Sequence, residues 1–256
     1  ILYMDTNQKV TLITGANRGM GFQIAQELGH AGQHVLLGTR SIEEGKFAVN
    51  KLKDSGIEAE YILLDVTHQT TIASAAKYIE THYGYLSILI NNAGIALDNF
   101  ENPSQLSTDI MRKDFDVNFF GVVDVTQAML PLLSQSPQAK IINISSTMGS
   151  LSAATTVGSE VYNASAVGYQ ASKAALNMLT IRLAKELQTW EDSNITVNAV
   201  CPGMVATEFG GATPELAKSM GGKPVEEGVI RTVELAQSED NSINMTFSNK
   251  EGNIAW

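Results

Sequence analysis

A doubly wound α/β fold, a single parallel sheet with helices on both faces, is the class this chain predicts, and three observations carry it. Six short runs rich in β-branched and aliphatic residues recur along the chain, at 9–14, 34–39, 60–65, 87–92, 140–145 and 195–200. Amphipathic stretches of helical period separate them, as βαβ units require. The first run ends in a glycine-rich turn that opens onto a helical pattern, an arrangement suited to an anionic ligand. Near-continuous apolar strands fit a sheet covered on both faces. The 256 residues, 44% of them apolar, are enough for one large core. No internal repeat, low-complexity tract or Pro/Gly/Ser linker marks a boundary. One domain spanning 4–256 is therefore expected, with residues 1–3, ahead of Met4, left outside it.

Charge and cysteine usage exclude several classes. A net charge of −10 and a pI near 4.8 leave no basic face for nucleic acid or an anionic membrane. No apolar run reaches the eighteen or so residues of a membrane span. The start, ILYMDTNQKV, lacks the basic region and apolar core of a signal peptide, so a soluble cytoplasmic protein is expected. The single cysteine, Cys201 in TVNAVCPG, cannot form an internal disulfide and reads as a buried, inert thiol.

The first strand runs into Thr14-Gly15-Ala16-Asn17-Arg18-Gly19-Met20-Gly21 and then a helix carrying Ile24, Ala25 and Leu28. Glycines 15, 19 and 21 let the backbone turn sharply and approach a pyrophosphate, whose charge then meets the helix N-terminus. The second strand ends Gly38-Thr39-Arg40, with no carboxylate before Glu43. NAD enzymes of this architecture usually place an acid there to bond the ribose diol. Arg40 and Arg18 instead offer two bases to a 2′-phosphate, which points to NADP(H). Ser41 and Glu44 read as a capping box for the next helix, and Gly56 as its stop. Asp65, after the third strand, either caps the helix past Thr67 or faces a ligand. His30 and His34 stand four apart, but Gly32 interrupts any helix between them and no third ligand is evident, so no metal site is expected.

The pattern 109–133 reads as one helix with Met111, Phe115, Phe119, Val122 and Val123 turned inward. Asn118 sits amid that face, and a buried amide needs partners. Ser145 and Ser146 end the fifth strand, at the edge where open α/β sheets bind ligands. Further on, Tyr169 and Lys173 project from one helical face about one turn apart. A unit charge roughly 4 Å from a phenol is worth about 4 kcal/mol at an effective dielectric of about 20. That would draw the phenol roughly three pKa units toward neutrality and let it exchange a proton with an alcohol or carbonyl.

Six motifs in one order, TGANRGMG at 14–21, NNAG at 91–94, Asn118 in DVNFFG, NISS at 143–146, Tyr169 with Lys173, and PGMVAT at 202–207, resemble those of the short-chain dehydrogenase/reductases. The resemblance implies a Rossmann-type doubly wound sheet and a catalytic set of Asn118, Ser146, Tyr169 and Lys173. The family's serine stands just before an xxG, here Thr147-Met148-Gly149, which selects Ser146 with Ser145 as the fallback. It further implies cofactor contacts from Gly15, Asn17, Arg18, Gly19, Met20 and Gly21 in the turn, Arg40 beside the 2′-phosphate, and Asp65 with Val66 at the adenine. Asn91, Ala93 and Gly94 would border the ribose, which Lys173 anchors beside Tyr169. Within Pro202, Gly203, Val205 and Thr207, the Val205 backbone and the Thr207 hydroxyl would hold the carboxamide. In relatives the helix kinks at the matching asparagine so that its carbonyl holds a water near the lysine, placing Asn118 in a proton relay.

The stretch between Ser146 and Tyr169 is longer than in many relatives, and with 224–236 and the ending Lys250-Glu-Gly-Asn-Ile-Ala-Trp256 it resembles the carbonyl-reductase-like branch. The implied activity is reversible hydride transfer between NADP(H) and a ketone, aldehyde or secondary alcohol. The glycine-punctuated segment 208–223 is read as a substrate lid. Two other readings stand beside it: an NAD-dependent alcohol dehydrogenase of the same family, and a non-catalytic NADP(H)-sensing protein on the same fold. A monomer is expected if the insertion covers the family's usual dimer face, a homo-oligomer otherwise.

Overall fold

A computed structural model describes residues 8–256. The reading that sets residues 1–3 aside falls outside the described residues. Strand β1 (Val10–Thr14) leads into α1 (Gly19–His30), β2 (His34–Thr39), α2 (Ile42–Asp54), β3 (Ala59–Leu63), α3 (Gln69–His82) and β4 (Ile88–Asn91). The second half continues through α4 (Thr108–Phe115), α5 (Gly121–Leu133), β5 (Ala139–Ile144), α6 (Leu151–Thr155), α7 (Val167–Leu187) and β6 (Ile195–Val200). Three short helices, α8 (Pro214–Ser219), α9 (Val225–Gly228) and α10 (Ile230–Gln237), precede β7 (Phe247–Asn249) and β8 (Gly252–Asn253).

One eight-stranded sheet holds them in the order β3-β2-β1-β4-β5-β6-β7-β8, parallel except for the β7–β8 pair. Leu12 of β1 is in register with Leu36 of β2 and Leu89 of β4. The direction of winding reverses between β1 and β4, and the crevice beyond the carboxyl ends of these strands is where open α/β sheets take their ligands. The six expected strands are all present. The short β7–β8 hairpin pairs three residues, two of them buried, with two exposed ones, too short a stretch for its periodicity to be read from the chain.

Strand alternation sorts the core into two layers. Leu12, Leu36, Leu89 and Ile141 pack toward Ile72, Ile79, Val125 and Met129 on one face. Ile13, Leu37, Ile90 and Ile142 pack toward Ile24, Leu28, Ala48 and Leu52 on the other. Burial of each such side chain contributes about 1.5–3 kcal/mol, so the sheet is a rigid platform for the loops at its edge.

The stretch 109–133 departs from the expected single helix. A π-helical turn, Asp116–Phe120, separates α4 from α5. The wider turn adds a residue, which rotates the following face by roughly 100°. Of the expected inward set only Val122 is fully buried, whereas Asp114 and Asn118 are fully enclosed. Phe115, Phe119 and Phe120 form an edge-packed aromatic group with centroids 5.2–6.4 Å apart. Among the described residues no helix is long and apolar enough to cross a membrane.

Candidate active site

A cleft of about 780 Å³ opens at the switch point. Its floor is the glycine turn, where Gly15 and Gly19 adopt φ of +63° and +56°, conformations that side chains disfavour. A Cβ on Gly21 would lie 2.5 Å from the Gly15 carbonyl oxygen, so only glycine lets α1 start this close to β1. Asn92 ties the turn down: its amide donates to the Thr14 and Gly15 carbonyls at 2.9 and 3.1 Å. Thr14 Oγ1 in turn accepts from the Asn92 and Ala93 amides at 3.0 Å each.

Of the expected cofactor contacts, Gly15, Asn17, Arg18, Gly19, Met20, Gly21, Arg40, Asp65, Val66, Ala93, Gly94 and Thr207 all line this cleft. Arg18 and Arg40 are exposed there, and neither is in an ion pair or side-chain hydrogen bond among the described residues. Asp65 shapes the turn ahead of α3 and does not cap the helix, whose N-cap is His68. Its carboxylate accepts from Thr67 N–H and Oγ1 at 2.9 and 2.7 Å, which fixes the turn into α3, while the residue borders the cleft. Those bonds outweigh its burial and hold its carboxyl below the usual range.

Six expected contacts lie outside its lining: Tyr169 and Lys173, on α7, and four others. Asn91 is buried inside the sheet, donating to Thr126 Oγ1 and to Asn143 Oδ1 at 3.1 and 2.9 Å; its amide joins β4 to β5, and its neighbour Asn92 faces the cleft instead. Pro202 and Gly203 line a separate cavity of about 280 Å³ with Cys201, Lys223 and Arg231. Val205 forms a bridge with Lys223, and the Ala206 amide donates to the Lys223 carbonyl at 2.8 Å. The two ends of 204–223 are thereby clipped together.

The capping box is also only half formed. Ser41 Oγ accepts from the Glu44 amide at 3.3 Å. The Glu44 carboxylate turns away and accepts from Asn17 Nδ2 at 2.9 Å, because an exposed amide in the glycine turn competes for it.

At the other end of the site α7 presents Tyr169 and Lys173, and the loop after β5 presents Ser146. Ser145 Oγ donates to Asn177 Oδ1 at 2.6 Å and is 2% exposed, so it serves the core. Ser146 Oγ accepts from the Met148 amide at 3.1 Å, and its proximity lowers the Tyr169 phenol. Gly149 allows this proximity, since a Cβ there would meet the Lys173 backbone at 2.6 Å. Lys173 Nζ donates to the Ile144 carbonyl at 2.7 Å and stands 5.8 Å from the Tyr169 ring centre. Asn118 spends its side chain on the loop after β4, accepting from Ile95 N–H at 2.9 Å and donating to Ile95 C=O and Ser172 Oγ at 2.8 and 3.0 Å. A Cβ on Gly94 would find Asn118 Oδ1 at 3.3 Å and Lys173 Nζ at 3.6 Å. Asn118, Gly94 and Lys173 therefore converge on one point.

The electrostatics correct one expectation. Burial, not Lys173, dominates the Tyr169 phenol and pushes it well above its ordinary value, against a smaller lowering by Ser146. Burial also lowers Lys173, to about 8. The ammonium reaches for Ile144 and not for the phenol oxygen, so the pull expected from their spacing is missing.

Within the segment 208–223 no local pattern singles out Phe209. Its ring packs edge-on against Tyr169, centroids 5.8 Å apart, and lies 3.7 Å from where a Gly94 Cβ would stand. It covers the inner end of the cleft, which is lined by Phe209 and not by Tyr169 or Lys173.

The comparisons agree with this geometry. The family model described as short chain dehydrogenase matches residues 9–216. A short-chain dehydrogenase of Penicillium roqueforti, anuI, is 36% identical over 223 residues, covering 84% of this chain and 86% of the relative. The mouse (Mus musculus) carbonyl reductase [NADPH] 1 is 31% identical over 268 residues, 91% of this chain and 92% of that one. Among solved structures, the NADPH-bound carbonyl reductase from chicken fatty liver superposes with a TM-score of 0.81 at 28% identity, covering 97% of this chain and 99% of its own. With a cleft at the switch point of the sheet and a family model matched over most of its length, this chain belongs to the short-chain dehydrogenase/reductase family of oxidoreductases.

Proposed function

We propose that the protein is an NADPH-dependent carbonyl reductase, acting reversibly on a ketone or aldehyde and the matching alcohol. The observation that carries the cofactor choice is the pair of unengaged guanidinium groups, Arg18 and Arg40, at the mouth of the cleft, with no carboxylate at the end of β2. Two charge-assisted contacts there favour a 2′-phosphate. The glycine cradle, which a Cβ at Gly21 would fill, fits the pyrophosphate of such a dinucleotide. When bound, NADPH supplies the hydride.

The chain's own residues do the rest. Ser146 donates a hydrogen bond to the carbonyl oxygen as charge develops on it. Tyr169, which burial keeps protonated, gives that oxygen its proton. Lys173, anchored at the Ile144 carbonyl, holds the ribose. Asn118 braces the loop after β4 against α7 and links Lys173 to water. Residues 208–223 act as a lid on the substrate side of a single catalytic unit.

A second reading, NAD(H), has one observation in its favour. The Glu44 carboxylate reaches the glycine turn at Asn17, where it could accept from a ribose diol. Comparison of kcat/KM for NADPH and NADH over a panel of ketones and aldehydes decides between them. A preference for NADH sinks the assignment of Arg18 and Arg40.

A further inference from the structure

The N-cap of α7 is Ala166, whose side chain offers no hydrogen bond, yet the first turn is not left bare. Asp98, in the loop after β4, is 2% exposed, and its two oxygens accept from the Gly168 and Tyr169 amides at 2.7 and 3.0 Å. It is an N-cap supplied by another segment, an anion at the positive end of the helix. Beside it Asp114 of α4 is 0% exposed. One of its oxygens accepts from Leu97 N–H at 3.2 Å, and the other, Oδ2, has no hydrogen-bond donor. A Cβ on Gly168 would lie 2.9 Å from Asp114 Oδ2 and 3.1 Å from Asp98 Oδ2, so both carboxyl groups press on the same point of the backbone. Two buried carboxylates at this separation cannot both ionise without large cost.

We propose that Asp98 and Asp114 share one proton and act as positioning residues, holding the first turn of α7, and with it Tyr169, in place. Two amides make Asp98 the acceptor, so the proton sits on Asp114 and its otherwise unpartnered Oδ2 becomes a donor to Asp98. Burial first, and then the Asp98 hydrogen bond and charge, raise Asp114 to about 7. Asp98 bears on it from the loop after β4, and from α7 Tyr169 feels the Asp114 charge, which pushes the phenol further up. Asp109, Arg112 and Lys113 on α4 and Asp116 beyond it are exposed, and Lys173 on α7 is bonded to Ile144. Since the folded chain holds this proton more tightly than an unfolded carboxyl near 3.9, the stability it confers is full below that value and is lost as pH rises through about 7.

Thermal unfolding of the full chain and of Asp114→Asn, each at about pH 5 and about pH 9, tests this. Asparagine keeps the donor to Asp98 and removes the titration. The unfolding temperature of the natural protein should fall between the two pH values by on the order of 5 °C more than that of the variant. Infrared spectra of the natural protein should show a protonated carboxyl band that vanishes through neutrality, and this readout stands even if Asp114→Asn does not fold. Asp98→Ala should lose tenfold or more in kcat, with NADPH affinity changed less than about twofold, and Asp98→Asn, which retains one acceptor, should recover part of it. Equal pH shifts in the first two proteins, absence of the band, or full turnover in Asp98→Ala overturns the proposal. Only the effect on turnover rests on Tyr169 as proton donor: the unfolding shift should persist in Tyr169→Phe, which separates failure of the dyad from failure of that assignment.

Discussion

The outer half of the cleft, built on β1 to β3, and the inner half, built from β4 to α7, are assembled by different means. In the outer half, backbone conformation sets the geometry. Positive φ at Gly15 and Gly19 and the 2.5 Å approach at Gly21 come from residues a few positions apart, with Arg18 in the same turn and Arg40 in the turn after the neighbouring strand β2. In the inner half, side chains from distant segments set it. Asp98 caps α7 from 70 residues away, Asn118 reaches 54 residues to Ser172, and Phe209 comes from the far side of β6 to lie on Tyr169. Local geometry leaves a local pattern, and long-range packing does not.

That difference explains how much could be read from the chain. The strands, the glycine turn and the two arginines follow from periodicity and residue type within short windows. Tyr169 and Lys173 are likewise legible as a pair, but the state of the phenol is not, because it depends on desolvation that only tertiary packing creates. The π-turn at Asn118 escapes periodicity since it changes the period itself. Asn91 and Asn92 are adjacent and chemically identical, and only the pleat decides that the first joins β4 to β5 and the second ties the glycine turn. Asp98 and Asp114 look like ordinary surface acids until the fold encloses them.

The largest effect should follow from removing one group of the inner half. Tyr169→Phe should lose on the order of 10²–10⁴-fold in kcat while NADPH binding, measured by fluorescence titration, stays within a few-fold, because the outer half holds the dinucleotide. Loss of binding to match would mean the halves are not separable. In the outer half, Gly21→Ala forces the turn to move, since a Cβ at that distance from Gly15 cannot be accommodated. It should cost about 1–3 kcal/mol in thermal stability and abolish dinucleotide binding. An unchanged melting temperature would show that the turn is not fixed by close approach.

Single charges should have smaller effects. Arg40→Ala removes a charge-assisted contact worth about 1.5–3 kcal/mol, so KM for NADPH should rise roughly tenfold to a hundredfold with the NADH value nearly unmoved. Equal effects on both would place Arg40 away from the 2′-phosphate. On the inner side, Lys173 is lowered to about 8 by burial, so its charge is present below that pH and lost above it. The kcat/KM for reduction should therefore fall as pH rises through about 8, and a profile flat to about pH 10 would remove the ammonium from the mechanism.

The smallest effect expected concerns Phe209, where the two halves meet. Its ring stands against Tyr169 and next to Gly94, at the point that Lys173 and Asn118 also approach. If the ribose belongs there, the ring must swing out before the dinucleotide can seat. An edge-to-face aromatic contact is worth about 0.5–1.5 kcal/mol, and that much opposes binding while it lasts. Phe209→Ala should thus tighten NADPH binding by about two- to tenfold, while kcat falls because the lid loses an apolar contact with the substrate. Weaker binding in the variant would mean that the ring closes over the seated dinucleotide, and the lid would then join the outer half as part of the cofactor site.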